Sequence, residues 1–161
     1  MDQGDDSYQA ALDRAGRLLA VRPRTEQELR ARLAAAGCDR DAVDAALARL
    51  IELRLIDDAA FAAQWIEERA RTKDRGPEGL RRELAAKGVA ADVVDLALAE
   101  VDLGDEESRA IELAARLLGK VAGRPAEEQG RRLYALLVRR GFSSEAALAG
   151  ARSALPPEGW D

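Results

Sequence analysis

The sequence predicts an all-α fold in which three tandem three-helix repeats stack into an elongated, curved array. The first observation behind this prediction is composition, because hydrophobic residues make up 47% of the 161 residues but aromatic residues only 4%. A core must then be built mainly from leucine and alanine, and strands, which favour aromatic and β-branched residues, are disfavoured. The second observation is the regular placement of helix-ending glycines, and the third is an internal repeat.

The internal repeat pairs Leu29–Gly37 with Leu80–Gly88, without a gap. Beyond each glycine, five residues of the first copy (Asp41, Val43, Asp44, Leu47, Ala48) align with five of the second (Asp92, Val94, Asp95, Leu98, Ala99). A weaker third copy occupies Leu133–Gly141. Because a single repeat is too small to bury a large core by itself, we expect the copies to stack on one another.

Each copy is predicted to form two helices separated by its glycine. In the first copy Thr25 and Glu28 form a capping box, and Gly37 supplies the left-handed conformation that ends the helix. The second copy opens with a proline at the first helical position, and the third copy also opens with a proline. The residues expected to cap the helix after each glycine are polar. These prolines are Pro77 and Pro125, and the cap candidates are Asp39, Asp92 and Ser143.

A further amphipathic helix precedes each pair. These helices are predicted over Tyr8–Val21, from Asp57 or Asp58 onward, and over Asp105–Lys120. The repeats then span residues 8–54, 57–102 and 105–155. Residues 1–7 and the tail at 156–161 are expected to be disordered.

The residue inventory excludes several classes of protein. Histidine is absent, which removes the commonest general base and metal ligand, and the single cysteine, Cys38, cannot form an intramolecular disulfide or a thiolate-rich zinc site. The longest uncharged run, Ala59–Ile66, is far shorter than a membrane-spanning helix requires. We therefore expect a cytoplasmic protein that uses no metal or other cofactor and makes no membrane contact.

Charge is segregated along the chain, although the formal net charge is only −5. From Arg69 to Lys87 there are seven basic and three acidic residues, whereas residues 88–112 contain eight acidic residues and one arginine. Some arginines and lysines follow a glutamate by four positions, which predicts intrahelical ion pairs. These pairs are Glu26–Arg30, Glu28–Arg32, Glu78–Arg82, Glu83–Lys87, Glu127–Arg131 and Glu128–Arg132.

The remaining cations around residues 69–81 lack such a partner, and a second group lies at a predicted helix end. Together with Arg82 they are our candidates for binding a protein partner or nucleic acid: Arg69, Arg71, Lys73, Arg75, Arg81, Arg82, Arg139 and Arg140. No aromatic residue is interleaved with the cluster, so a stacking platform for single strands is not indicated.

No set of residues forms a catalytic site. Asp57-Asp58 is typical of a helix start, and Phe61 with Trp65 is typical of a buried helix face. Gly76-Pro77-Glu78-Gly79 lacks the preceding strand and the spacing of a phosphate-binding loop. Trp160 is a candidate anchor for a partner. We predict that the protein is not an enzyme.

Several short motifs follow one another in a specific order. They are Arg22-x-Arg24-Thr25-x-x-Glu28-Leu29, Leu50-Ile-Glu-Leu-Arg-Leu-Ile-Asp57-Asp58-Ala-Ala-Phe61-Ala62, Arg75-Gly76-Pro77, Leu80-Arg81-Arg82-Glu83-Leu84 and Tyr134-x-x-Leu137-x-Arg139-Arg140-Gly141-Phe142. Over residues 8–155 this order resembles the RecX family, bacterial regulators of the recombinase RecA. One departure is Arg54, where the family usually has glycine.

The resemblance implies a stack of helical repeats that binds in the groove of the filament formed by RecA on single-stranded DNA. It implies inhibition of ATP hydrolysis, strand exchange and coprotease activity, and hence regulation of DNA repair, recombination and the SOS response. The RecA filament is then the partner, and single-stranded DNA within the filament is a second contact. We expect the chain itself to be a monomer. On this interpretation the candidate arginines face an acidic RecA surface or DNA phosphates.

Two other function classes stay open. The helix–glycine–helix units resemble a helix-turn-helix, which would make the protein a direct DNA-binding protein, although the candidate recognition helices at 41–53 and 92–101 are acidic or apolar. A helical scaffold for some other partner is the third class, and it predicts no effect on RecA.

Overall fold

The computed structural model describes residues 3–72 and 74–156. Within these ranges the protein is all-helical, as the sequence predicts, with nine α-helices and one 3-10 helix. The α-helices are α1 (Gln3–Val21), α2 (Glu26–Ala35), α3 (Arg40–Glu52), α4 (Asp58–Thr72), α5 (Pro77–Ala86), α6 (Ala91–Glu100), α7 (Glu106–Leu117), α8 (Ala126–Arg139) and α9 (Ser144–Ala154), and the 3-10 helix is Leu118–Lys120. None of the described helices is long and apolar enough to cross a membrane.

Helices end at the glycines that the sequence predicts. The three repeat glycines adopt the left-handed conformation, with φ of +83° at Gly37, +82° at Gly88 and +92° at Gly141. Arg54 has a φ of +57° and therefore adopts the conformation that a glycine would have. The turn after α3 therefore forms even though Arg54 stands where the family usually has glycine. The left-handed backbone conformation is strained there, because Arg54 has a side chain.

Three of the predicted capping interactions form. Thr25, Asp39 and Ser143 each accept a hydrogen bond from the amide three residues later, at the starts of α2, α3 and α9. At α4 the cap is Asp57, which accepts from the Ala60 amide at 3.0 Å. Polar side chains thus satisfy amides that the first helical turn leaves unpaired.

Other local predictions are wrong. Residues 3–7 are helical rather than disordered: Asp5 and Asp6 lie in the first turn of α1, where negative charge favours the helix dipole. Asp92 lies inside the first turn of α6, which begins at Ala91, so Asp92 does not cap that helix. The Glu28 half of the capping box is replaced by ion pairs of Glu28 with Arg22 and Lys87.

The contacts divide the chain into two compact units. Unit 1 comprises Met1–Gln64 and Leu84–Ala97, and unit 2 comprises Trp65–Glu83 and Leu98–Asp161. The division into three repeats at 8–54, 57–102 and 105–155 stays a prediction.

Unit 1 has a leucine- and alanine-rich core, as composition predicts. Its larger cluster contains Ala15, Leu29, Leu33, Val43, Leu47, Leu50 and Ile56, and its smaller one Ala11, Ala42 and Ala46. The N-terminus of α2 docks on the C-terminus of α5 within this unit. The fully buried Thr25 hydroxyl donates to the Lys87 carbonyl at 2.6 Å, and the Glu26 amide donates to Asp58 at 3.0 Å.

Unit 2 is built on α7, which packs most extensively against α9. Its core contains Ala110, Leu113, Ala114, Leu117, Leu133, Leu137, Phe142, Ala146, Ala147 and Ala151. A Cβ atom at Gly150 would lie 2.8 Å from the Ala110 carbonyl oxygen, so small residues let the two helix backbones approach closely.

Candidate functional site

The first turn of α5 docks on the C-terminal end of α8. The Gly76 amide donates to the Arg140 carbonyl at 3.0 Å, and the Glu78 amide donates to the Gly141 carbonyl at 3.1 Å. Pro77, the first residue of α5, has no amide to satisfy. Because a helix N-terminus carries partial positive charge and a C-terminus partial negative charge, the junction is favourable electrostatically as well.

Glycine is required where the two helix ends touch. A Cβ atom at Gly79 would overlap the carbonyl oxygen of Arg140, and one at Gly141 would overlap the backbone of Gly79. The Gly76-Pro77-Glu78-Gly79 segment therefore serves as a backbone docking surface, a role that its spacing in the sequence does not predict.

This junction creates a cleft of about 380 Å³ lined by guanidinium groups. Four candidate residues, Arg75, Arg82, Arg139 and Arg140, line it together with Gly79, Glu83 and Leu136. The structure thus brings α5 and α8 cations that are far apart in the sequence to one place. Lys73, another candidate, lies outside the described residues, as does Trp160.

Three cations of the cleft have no carboxylate partner among the described residues. Arg82 donates only to backbone carbonyls, those of Glu78 and Arg139, each at 3.4 Å. The side chains of Arg139 and Arg140 form no ion pair in the part of the chain that the structure describes, and neither does the exposed Arg71 on α4. Their charge is available to a partner without breaking an internal ion pair.

The other candidate arginines are paired, contrary to the prediction. Arg69 and Arg75 each bring Nε to the Glu83 carboxylate, at 3.3 and 2.9 Å, and Arg81 pairs with Glu78 at 2.6 Å. Trp65 also donates its indole N–H to Glu83, at 2.8 Å, and its ring centroid lies 4.9 Å from the Arg69 guanidinium carbon. An aromatic residue is therefore interleaved with the basic cluster after all.

Spacing along the sequence predicted only some of the ion pairs correctly. Glu26–Arg30 and Glu128–Arg132 form as predicted, at 3.4 and 3.1 Å. Two arginines that were expected to pair with the side chain of the glutamate four residues earlier bond to its backbone instead. Nε of Arg82 donates to the Glu78 carbonyl, and Nε of Arg131 donates to the Glu127 carbonyl. A helix places such residues side by side but does not decide which acceptor the guanidinium meets.

Arg109 supports the site and was missed by sequence reasoning. The residue is only 4% exposed, its Nη2 donates to the Arg75 carbonyl at 2.5 Å, and its guanidinium carbon lies 5.8 Å from the Phe142 ring centroid. Burial lowers the pKa of this guanidinium, while the negative charges of Glu106 and Glu112 raise it. Arg109 thus holds the backbone of Arg75 in place, and an isolated arginine in an acidic stretch carries no sequence signal of that role.

A second contact positions the loop before α5. Arg116 on α7 donates to the Asp74 carboxylate at 3.0 Å and to the Thr72 carbonyl at 3.2 Å. Together with Arg109, it ties the loop that carries Arg75 to α7.

Fold and site define the chain as an all-helical protein whose guanidinium-lined cleft suits an anionic surface. Profiles of two RecX domains match it, the first three-helix domain over residues 11–50 and the second over residues 57–98. The chain belongs to the RecX family.

Individual relatives agree with this assignment. The chain is 38% identical to a regulatory protein RecX of Streptomyces coelicolor, over 90% of this chain and 77% of the relative. It is 41% identical to one from Mycobacterium ulcerans, over 81% of this chain and 76% of the relative.

Solved structures give the same fold. A crystal structure of regulatory protein RecX matches with a TM-score of 0.81 and 25% identity, over 91% of this chain and 77% of that one. RecX from Lactobacillus salivarius matches with a TM-score of 0.78 and 21% identity, over 93% and 97% of the two chains.

Proposed function

We propose that this protein binds the filament that RecA forms on single-stranded DNA and inhibits its ATPase, recombinase and coprotease activities. It would act as a monomer in the cytoplasm, without catalytic activity of its own, in the control of DNA repair and the SOS response. Family membership supports the choice of RecA as the partner. The observation that carries the binding surface is the cleft in which Arg82, Arg139 and Arg140 lack a carboxylate partner among the described residues.

The chemistry of these residues suits an anionic filament surface. Guanidinium groups bind carboxylates and phosphates through several directed hydrogen bonds and are always charged at physiological pH. Cations without an internal carboxylate partner gain a contact on binding and lose no ion pair. Arg69, Arg75 and Arg81 contribute less directly, because each would first have to leave Glu83 or Glu78.

The first experiment measures DNA-dependent ATP hydrolysis by the cognate RecA while the protein is added at substoichiometric ratios. We expect hydrolysis to fall well below one protein per RecA, because a protein bound in or at the end of a filament affects many subunits. No change even at excess would contradict the proposal and favour a scaffold for some other partner.

Charge-reversal variants then test the surface. Arg82→Glu with Arg139→Glu is expected to abolish inhibition, since both side chains are exposed and hold no ion pair in the described structure. The matched control is Arg14→Glu with Arg17→Glu on α1: these side chains are also exposed, and within the described ranges Arg17 likewise donates to a backbone carbonyl and to no carboxylate. Equal loss of inhibition in both double variants would mean that net charge, not this cleft, is responsible.

Direct DNA binding is the alternative function, and a salt titration separates it from RecA binding. A protein that contacts several phosphates would bind free duplex DNA with a steep dependence of log affinity on log salt concentration. We expect weak duplex binding, because α3 and α6, the candidate recognition helices, carry acidic and apolar residues. Strong, salt-sensitive duplex binding together with unchanged RecA ATPase would favour the alternative.

A further inference from the structure

Among the described residues, three donors of unit 2 surround the carboxylate of Glu83. Oε1 faces Nε of Arg75 at 2.9 Å, and Oε2 faces Nε of Arg69 at 3.3 Å and the indole N–H of Trp65 at 2.8 Å. The donors come from α4 and from the loop before α5, and Glu83 itself lies on α5. Two guanidinium groups and an indole N–H thus share one two-oxygen anion.

This donor set also suits a phosphodiester group. The two non-bridging oxygens of a phosphodiester can replace the two oxygens of a carboxylate, and guanidinium donors bind either anion. Trp65 adds a ring beside the site, with the Arg69 guanidinium against it, and aromatic rings next to cations are common where single strands bind. None of these features requires the anion to be Glu83.

Glu83 can be exchanged because solvent reaches the site. Its side chain is 21% exposed, and those of Arg69 and Arg75 are 39% and 32% exposed. Solvent therefore screens these ion pairs in part. The carboxylate is a partly solvated ligand of these donors and not a fully buried charge.

The residues around Glu83 favour the binding of an anion from outside the protein. Glu83 and Arg75 line the cleft with Arg82, Arg139 and Arg140, and Glu83 is the one carboxylate among its described lining residues. An anionic strand in the cleft would lie beside three guanidinium groups that have no carboxylate partner among the described residues, as well as beside Arg75 and Glu83. The cleft would thus raise the local concentration of anion beside Glu83.

We propose that Arg69, Arg75 and Trp65 form a subsite for a backbone phosphate of single-stranded DNA, which Glu83 occupies until a strand displaces it. This inference deepens the proposed function by naming a strand contact, and it rests on that function only for its biological setting. It is tested with oligothymidylate and no RecA, so its failure is separate from a failure to inhibit the RecA ATPase.

Trp65 provides a direct probe of the subsite. The chain has two tryptophans, so the Trp160→Phe variant leaves Trp65 as the only indole. Titration of this variant with oligothymidylate should change the Trp65 emission saturably, because the indole N–H exchanges a carboxylate for a phosphate. Oligonucleotide anisotropy, followed in the same titration, reports binding anywhere on the protein.

Adding Glu83→Gln to the Trp160→Phe background removes the internal competitor. We expect oligothymidylate to bind about tenfold more tightly, the effect of releasing two partly exposed ion pairs. The control is Glu127→Gln in the same background, which makes the same charge change at an exposed α8 residue whose side chain holds no ion pair in the described ranges. Equal tightening in the two variants would overturn the proposal, as would anisotropy-detected binding that leaves the Trp65 emission unchanged, or no binding at all.

Two further arms keep the test decisive. If circular dichroism shows that Glu83→Gln does not fold, Arg69→Gln is compared with Arg131→Gln in the Trp160→Phe background, and only the former should weaken binding and abolish the emission change. Oligoglutamate of equal charge should compete poorly. Equal competition would mean that the subsite takes carboxylates in general, such as an acidic protein surface, and would overturn the assignment to DNA.

Discussion

Gly79→Ala perturbs the junction between α5 and α8 at one atom. The added Cβ would overlap the carbonyl oxygen of Arg140 and lie 3.1 Å from its carbonyl carbon. Both obstacles are backbone atoms, which cannot rotate aside as a side chain can. The two helix ends must therefore separate to admit the methyl group.

The size of the effect follows from what that separation breaks. The hydrogen bonds from Gly76 and Glu78 to the carbonyls of Arg140 and Gly141 are lost, at a cost of about 2 kcal/mol in total. Overpacking adds about 2 kcal/mol, and the higher helix propensity of alanine returns about 1 kcal/mol. We expect the free energy of unfolding to fall by about 3 kcal/mol, which corresponds to a decrease in Tm of about 6–12 °C for a chain of this size.

Gly16→Ala is the matched control, because Gly16 is exposed in the middle of α1 and nothing in the described structure lies within 4 Å of an added Cβ. The same substitution should there raise the free energy of unfolding by about 1 kcal/mol. Thermal and urea unfolding, followed by circular dichroism, measure both changes. A Gly79→Ala protein as stable as the wild type would refute the docking of α5 on α8.

Three more predictions concern unit 1. Arg54→Gly should raise the free energy of unfolding, measured by urea denaturation, by about 1 kcal/mol, because glycine adopts a φ of +57° without strain. A lower free energy of unfolding would show that the turn is unstrained. Thr25→Val should lower the free energy of unfolding by about 2–3 kcal/mol, because it removes the hydrogen bond to the Lys87 carbonyl and the cap of α2. Thr25→Ser, the control, should lower it by less than about 1 kcal/mol. Burial raises the pKa of Asp58, so the folded state binds its proton more tightly and stability falls as pH rises through that raised pKa. Asp58→Asn, which can still accept from the Glu26 amide, should therefore be more stable than the wild type at neutral pH, and a gain that did not shrink toward acid pH would contradict the assignment.

The sequence alone determined where most helices of this protein begin and end. Glycines at 37, 88 and 141 end helices because only a residue without a side chain adopts positive φ cheaply, and Thr25 caps α2 through contacts with near neighbours in the chain. Such interactions span a few residues, so they can be read directly from spacing. The resemblance to the RecX family arose from the same short motifs and their order.

Only the tertiary structure decided which cations are available. Arg69 and Arg75 lack a glutamate four positions earlier, yet both meet Glu83, because α4, its following loop and α5 converge in space. Arg82 has a glutamate at that spacing and bonds to backbone carbonyls instead. Ion pairing depends on distances between elements and falls off steeply with separation and solvent screening, so spacing along one helix could not assign these partners. The cleft itself depends on the contact of Gly79 with the end of α8, which no local rule predicts.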